Sequence, residues 1–176
     1  LTFDAEQERL LRRARCPEVK ERFEEARSLY LALWLWTMPP EVVTALCERL
    51  NFPVRERRLA HEVLELRALL PALSAPNASD AAIARLLDGR RPEAIAALVI
   101  AEGGAAAERA WRYWTVLRQR RPALRGDDVL RLGVPAGPAV GEVLERLREA
   151  RWNGEVTSRQ EEERLVHRWL QERARA

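Results

Sequence analysis

One stretch of this chain concentrates cations among aromatic rings, and it is the part best equipped to act on an external partner. Between 108 and 125, Arg109, Arg112, Arg118, Arg120, Arg121 and Arg125 face a single acid, Glu108, with Trp111, Tyr113 and Trp114 interleaved. Guanidinium forks match phosphate oxygens, and aromatic faces stack on exposed bases, so nucleic acid is the ligand this mixture fits. Trp111, Trp114 and Leu117 also recur at core spacing. The tryptophans therefore read as packing and the outer arginines as contacts, with Arg118 and Arg121 on one ridge of a helix continuing to 121.

A second group is Gly133, Gly137 and Gly141, set among Pro135 and Pro138. This bend delivers the chain to a helix start, where exposed N–H groups and the helix dipole favour a phosphate and glycine lets a nucleic-acid backbone come close. The same residues describe, more simply, a sharp interhelical turn, with Gly141 easing helix packing. Arg55, Arg57, Arg58, Arg90 and Arg91 have acids nearby and read as solvated surface. His61 and His167 stand singly, with no second ligand at metal spacing. Glu161, Glu162 and Glu163 read as complementing a helix dipole. No nucleophile–base arrangement stands out, so no catalytic residue and no metal ligand is assigned.

These groups sit on helices. Alanine, leucine, glutamate and arginine dominate the 176 residues, glycine is sparse, and apolar residues recur at helical spacing. With 47% hydrophobic and 32% charged residues the chain reads as globular rather than disordered. A net charge of +3 permits a polyanion partner without demanding one. The pattern predicts an all-α fold, an irregular bundle of about ten helices with a small C-terminal helical tail. The expected helices cover 3–14 (capped by Asp4 with Gln7), 17–36, 41–50, 54–70, 79–88, 92–102, 105–121, 127–132, 138–152 and a last one capped by Ser158 and Glu161. The apolar run 29–36 reads as a central helix, and 71–77 as a loop and hinge. Composition changes at 123, giving a body over 1–122 and a Gly/Pro-rich tail over 123–176. Cys16 and Cys47 form no metal motif; they read as small buried residues of a reducing cytosol, with a disulfide between them left open. No apolar run is long enough to span a membrane.

The tail carries a resemblance. Over 124–156 it has Gly126 and Asp128, then Leu132 and Gly133, Pro135 with Gly137 and Pro138, Gly141 followed by apolar residues, and Gly154, Glu155 and Val156 ahead of a Glu-rich helix. This order is similar to the C-terminal tail of bacterial class II tRNA nucleotidyltransferases and their poly(A) polymerase relatives. More loosely, 31–66, with Trp36, Pro39, Pro40 and Glu41, resembles the helical body of that family.

The resemblance implies a cytoplasmic, RNA-binding body and tail that positions a tRNA or other structured RNA. Nucleotide addition would occur in a catalytic head, supplied in cis and lacking here, where Mg2+ and ATP or CTP would bind. The family's paired head carboxylates and base-selecting neck motif have no counterpart in this sequence. Asp127 and Asp128, the nearest acidic pair, open a tail helix, so this segment itself is not expected to be an enzyme. The chain starts at Leu1 as a fragment of a longer protein would. The alternative is a structural scaffold that dimerises through an apolar face, offered by the Trp34–Trp36 helix or by Trp169, without RNA contact.

Overall fold

The structure, a computed structural model, describes residues 9–10 and 26–175. Apart from helical Arg9 and Leu10, the expected 3–14 helix with its Asp4 cap, the helix start at Pro17, and Cys16 lie outside the described residues. Among those described, the secondary structure is ten α-helices and one 3-10 turn, with no strand. The all-α expectation holds. The chain forms two compact units, Leu1–Ala78 with Leu86–Trp114, and Ser79–Arg85 with Thr115–Ala176.

In the first unit, α1 (Ala26–Trp36), α3 (Val54–Ala68) and α6 (Pro92–Ala101) pack on one another. Helix α6 is the most enclosed. Ala94, Ile95, Ala96, Ala97, Leu98 and Ile100 are all buried, and the alanines let neighbouring helices approach while Ile95 and Leu98 supply the apolar area. The run expected to be central, in α1, buries Leu29, Ala32, Leu33, Leu35 and Trp36, while Tyr30, Leu31 and Trp34 remain half-exposed. The centre therefore lies in α6, which is apolar on nearly every side.

Helix α2 (Pro40–Arg49) and the residue after it carry Val42, Val43, Leu46 and Leu50 at helical spacing, yet only Val43 is buried, and Val42 and Leu50 are exposed. The predicted loop at 71–77 is in part helical, while the boundary between the two units falls just after it, at Ala78 and Ser79. Helix α4 (Leu70–Ser74) occupies most of that loop with Leu73 buried, and proline is accepted in a first turn. The Arg109 guanidinium, on α7 (Gly104–Thr115), then donates to the carbonyls of Leu73 (2.7 Å), Ala75 (2.6 Å) and Pro76 (3.4 Å).

The second unit holds the first residues of α5 (Asp80–Leu87), the 3-10 turn Leu117–Gln119, α8 (Gly126–Arg131), α9 (Pro138–Asn153) and α10 (Arg159–Arg175). Its core joins Leu124, Val129, Val134, Val143, Leu147, Val156, Leu165, Val166 and Trp169. Ser79 caps α5 as expected, its Oγ accepting the Ala82 N–H at 3.2 Å, and the Ala81 N–H donates to Asn153 Oδ1 at 2.9 Å. The Ser158–Glu161 box is present: Ser158 Oγ accepts the Glu161 N–H at 3.3 Å, and Glu161 accepts the Ser158 N–H at 3.0 Å.

Candidate nucleic-acid interface

The basic stretch is not one helix. Helix α7 ends at Thr115, and Val116 leaves helical geometry at φ −123°, ψ −61°. Arg118 falls in the 3-10 turn and Arg121 in the extended segment after it, so the expected shared ridge does not form. Pro122 explains part of this, since the residue before a proline is pushed out of helical conformation.

The candidate arginines then divide by what their guanidinium groups do. Arg109 fastens the α4 region, as described. Arg120 donates to the Trp152 carbonyl at 2.9 Å and so caps the end of α9. Arg112, Arg118, Arg121 and Arg125 are exposed. Sequence pattern alone does not separate these roles, because a cap and a ligand contact use the same residue type.

Arg121 and Arg125 flank a segment fixed by a carboxylate. Glu162, on α10, is fully buried; it accepts the Ala123 N–H on both oxygens at 3.0 Å, the Leu124 N–H at 2.8 Å, and a bond from the Arg151 Nε. Arg151 also donates to the Thr157 carbonyl. The sequence reading counted Glu162 among dipole-complementing acids and missed this. Its spacing to Leu165, Val166 and Trp169 was the available signal, because it puts Glu162 on the apolar face.

Just beyond, α8 starts. Asp128 accepts the Arg125 N–H at 2.9 Å and pairs with Arg159 (2.8 Å) and Arg131 (2.7 Å). The Arg125 N–H bond first, then the Arg159 guanidinium, hold its carboxyl below the usual range. Thus committed as a cap and an ion-pair partner, Asp128 with neighbouring Asp127 does not fit a magnesium site. Among the described residues no three His, Cys, Asp or Glu side chains come together as metal ligands. His61 pairs with Glu65 at 3.3 Å, and Arg90 and Arg91 pair with Glu65 and Glu62. Arg55 lies 3.9 Å from Glu93, while Arg57 and Arg58 are exposed.

The glycine bend connects α8 to α9. Gly133 (φ +97°) and Gly137 (φ +109°, ψ −146°) turn the chain, and both are exposed. Gly137 occupies a region nearly closed to side chains. It precedes α9, where Pro138 takes the first turn and no side chain caps the end. Gly141, in the next turn, is exposed, and a Cβ there would meet nothing within 4 Å. Packing inside the unit therefore does not require this glycine, contrary to the reading that it eases helix contact. A Cβ on Gly126 would lie 3.8 Å from Val140, so the α8 start beside Arg125 abuts the first turn of α9. Arg125, the bend and Gly141 thus occupy one neighbourhood.

Of the aromatic residues offered for dimerisation, Trp36 and Trp169 are buried, at 6% and 5% exposed, while Trp34 is half-exposed. The Trp36 indole donates to Glu102 at 2.9 Å, and Arg173 stacks 5.1 Å from the Trp169 ring centre. No helix among the described residues is long and apolar enough to cross a membrane.

Comparison with known proteins finds two partial relatives. The chain is 43% identical over 56 residues to the A-adding tRNA nucleotidyltransferase of Geobacter sulfurreducens, covering 32% of this chain and 6% of that protein. It is 50% identical over 52 residues to the A-adding tRNA nucleotidyltransferase of Deinococcus radiodurans, covering 29% of this chain and 12% of that protein. The chain thus matches only a small part of the length of these relatives. No family model matches, and no solved structure matches. Part of the chain is related to tRNA nucleotidyltransferases.

Proposed function

We propose that this chain, related over part of its length to tRNA nucleotidyltransferases, is an RNA-holding helical portion of such an enzyme and positions a tRNA or similar RNA end. Nucleotide addition, with its metal ions and nucleoside triphosphate, belongs to a part of the protein outside this chain. The observation that carries this reading is Gly141. An exposed helical glycine costs stability, and the unit's own packing gives no return for it. A closely approaching external backbone does.

Exposed cations precede the α8 start that abuts this turn of α9. Arg121 and Arg125 are exposed on a segment that Glu162 holds in place. The α9 N-terminus adds its dipole. Recognition follows duplex shape and phosphate charge rather than base identity, since A-form grooves conceal base edges.

Equilibrium binding of tRNA over a series of salt concentrations tests this. Affinity falls as salt rises, and Arg121→Gln with Arg125→Gln lowers it about tenfold, with the log–log salt slope reduced by about 1.5 for two lost phosphate contacts. Absence of binding at low salt, or a double variant identical to the parent chain, refutes the reading.

A further inference from the structure

The outward face of α10 carries a cationic stripe separate from the basic stretch before it. At 3.6 residues per turn, Gln160, Arg164, His167, Arg168 and Gln171 share one side of the helix, and all five are exposed. The opposite side carries Glu162, Leu165, Val166 and Trp169, all buried, so the helix is locked in rotation and the stripe is held outward.

The acids of α10 do not neutralise it. Glu161 accepts from Thr157 and Ser158, Glu162 from Ala123, Leu124 and Arg151, Glu163 from Arg159, and Glu172 from Arg146. Among the described residues, Arg164 and Arg168 have no ion-pair partner. His167 Nδ1 donates to the Glu163 carbonyl at 2.8 Å, leaving Nε2 as the free ring nitrogen of an exposed side chain. The stripe thus presents two unneutralised forks, an imidazole edge and two amides, and contains no acid and no apolar side chain.

We propose that this face of α10 is a second phosphate-tracking surface, along which the backbone of a structured RNA lies. The proposal rests on the reading of the second unit as an RNA-binding element and extends it to residues outside the basic stretch. Arg164 and Arg168 are separated by about 6 Å of helix rise, and the stripe runs for about 17 Å, enough to follow several consecutive phosphates. A membrane surface fits less well, because an interfacial helix inserts an apolar face and here that face is consumed by the core. An acidic protein fits less well too, because exposed ion pairs contribute little, whereas phosphate contacts gain from counterion release.

The test uses the full chain and a tRNA transcript across a salt series, comparing the parent, R164Q/R168Q, R121Q/R125Q and a charge-matched control, R27Q/R49Q. The expected result for R164Q/R168Q is about tenfold weaker binding with the salt slope shallower by about 1.5, while the control stays within about twofold of the parent. The charge-preserving R164K/R168K variant keeps the parent slope; should the double glutamine variant fold poorly, the single variants R164Q and R168Q decide the matter, each expected to make the slope shallower by about 0.7, and an unchanged slope in both overturns the stripe. An unchanged slope in R164Q/R168Q alongside a loss in R121Q/R125Q overturns the stripe and leaves the proposed function standing. An equal loss in the control attributes the effect to bulk charge and also overturns the stripe. No binding by the parent removes both.

Discussion

Replacing Glu162 by alanine should unfold the second unit rather than adjust it. The side chain is 0% exposed and its partner Arg151 is 15% exposed, so the pair is little screened by solvent. Breaking a buried ion pair from one side costs about 3–5 kcal/mol, and each backbone N–H left without an acceptor, here Ala123 and Leu124, adds about 1–3 kcal/mol unless water reaches it. Stability of about 0.05–0.15 kcal/mol per residue gives a unit of this size only several kcal/mol in total. Glu162→Gln keeps one oxygen for the Leu124 N–H and should cost less, about 2–3 kcal/mol, the worth of one or two charge-assisted bonds. Removing both partners, in Glu162→Met with Arg151→Met, should not restore stability, because the two amides remain orphaned. Urea denaturation followed by near-ultraviolet circular dichroism and by amide exchange at 123 and 124 measures this. A Glu162→Ala chain within about 0.5 kcal/mol of the parent, or a double variant as stable as the parent, would refute the reasoning.

Glu161 supplies a pH dependence, since the Thr157 N–H, then the Ser158 N–H, hold its carboxyl down to about 2 from 4.5. A lowered folded value gives stabilisation that is complete above the unfolded value and lost as pH falls through the folded one; Glu161→Gln should therefore weaken the unit at neutral pH and flatten its acid unfolding between about 4.5 and 2, as a pH series of melts reports. Gly137→Ala should cost about 1–3 kcal/mol for forcing a side chain into a glycine-only conformation, measured by thermal melting. Gly141→Ala should do the opposite, stabilising by about 0.5–1 kcal/mol while reducing tRNA affinity; a variant that gains stability and binds unchanged shows that the glycine serves no ligand. In the first unit, Leu98→Ala should cost about 2–5 kcal/mol in a chemical melt, whereas Val42→Ala, on an exposed side chain, should cost under about 0.5 kcal/mol.

Helix existence was legible because apolar spacing, proline starts and capping pairs all point the same way along this chain. The Ser79 cap and the Ser158–Glu161 box both appear where their residue types place them. Burial was less legible. Helix α6 is apolar on nearly every side, and its alanines admit close neighbours, yet the aromatic run of α1 drew attention to the wrong helix as the most enclosed one. The division among arginines was not legible either, since the carbonyls that claim Arg109 and Arg120 come from residues 33 to 36 and 32 positions away in sequence. The α10 stripe was present in the spacing of Arg164, His167 and Arg168 but was obscured by the neighbouring acidic run, whose members are each taken up by separate donors.

The bond from Ala81 to Asn153 joins positions 72 apart, and Glu162 reaches back to 123 and 124 from still later in the chain. A ribosome adding about 5–20 residues per second therefore releases Ser79–Arg85 seconds before the helices that receive it exist. The first unit's residues 86–114 emerge in the interval and can pack among themselves. The Ala81 N–H is without its Asn153 acceptor until that later segment has emerged, so the start of α5 is fixed in place only after a residue that follows it by 72 positions.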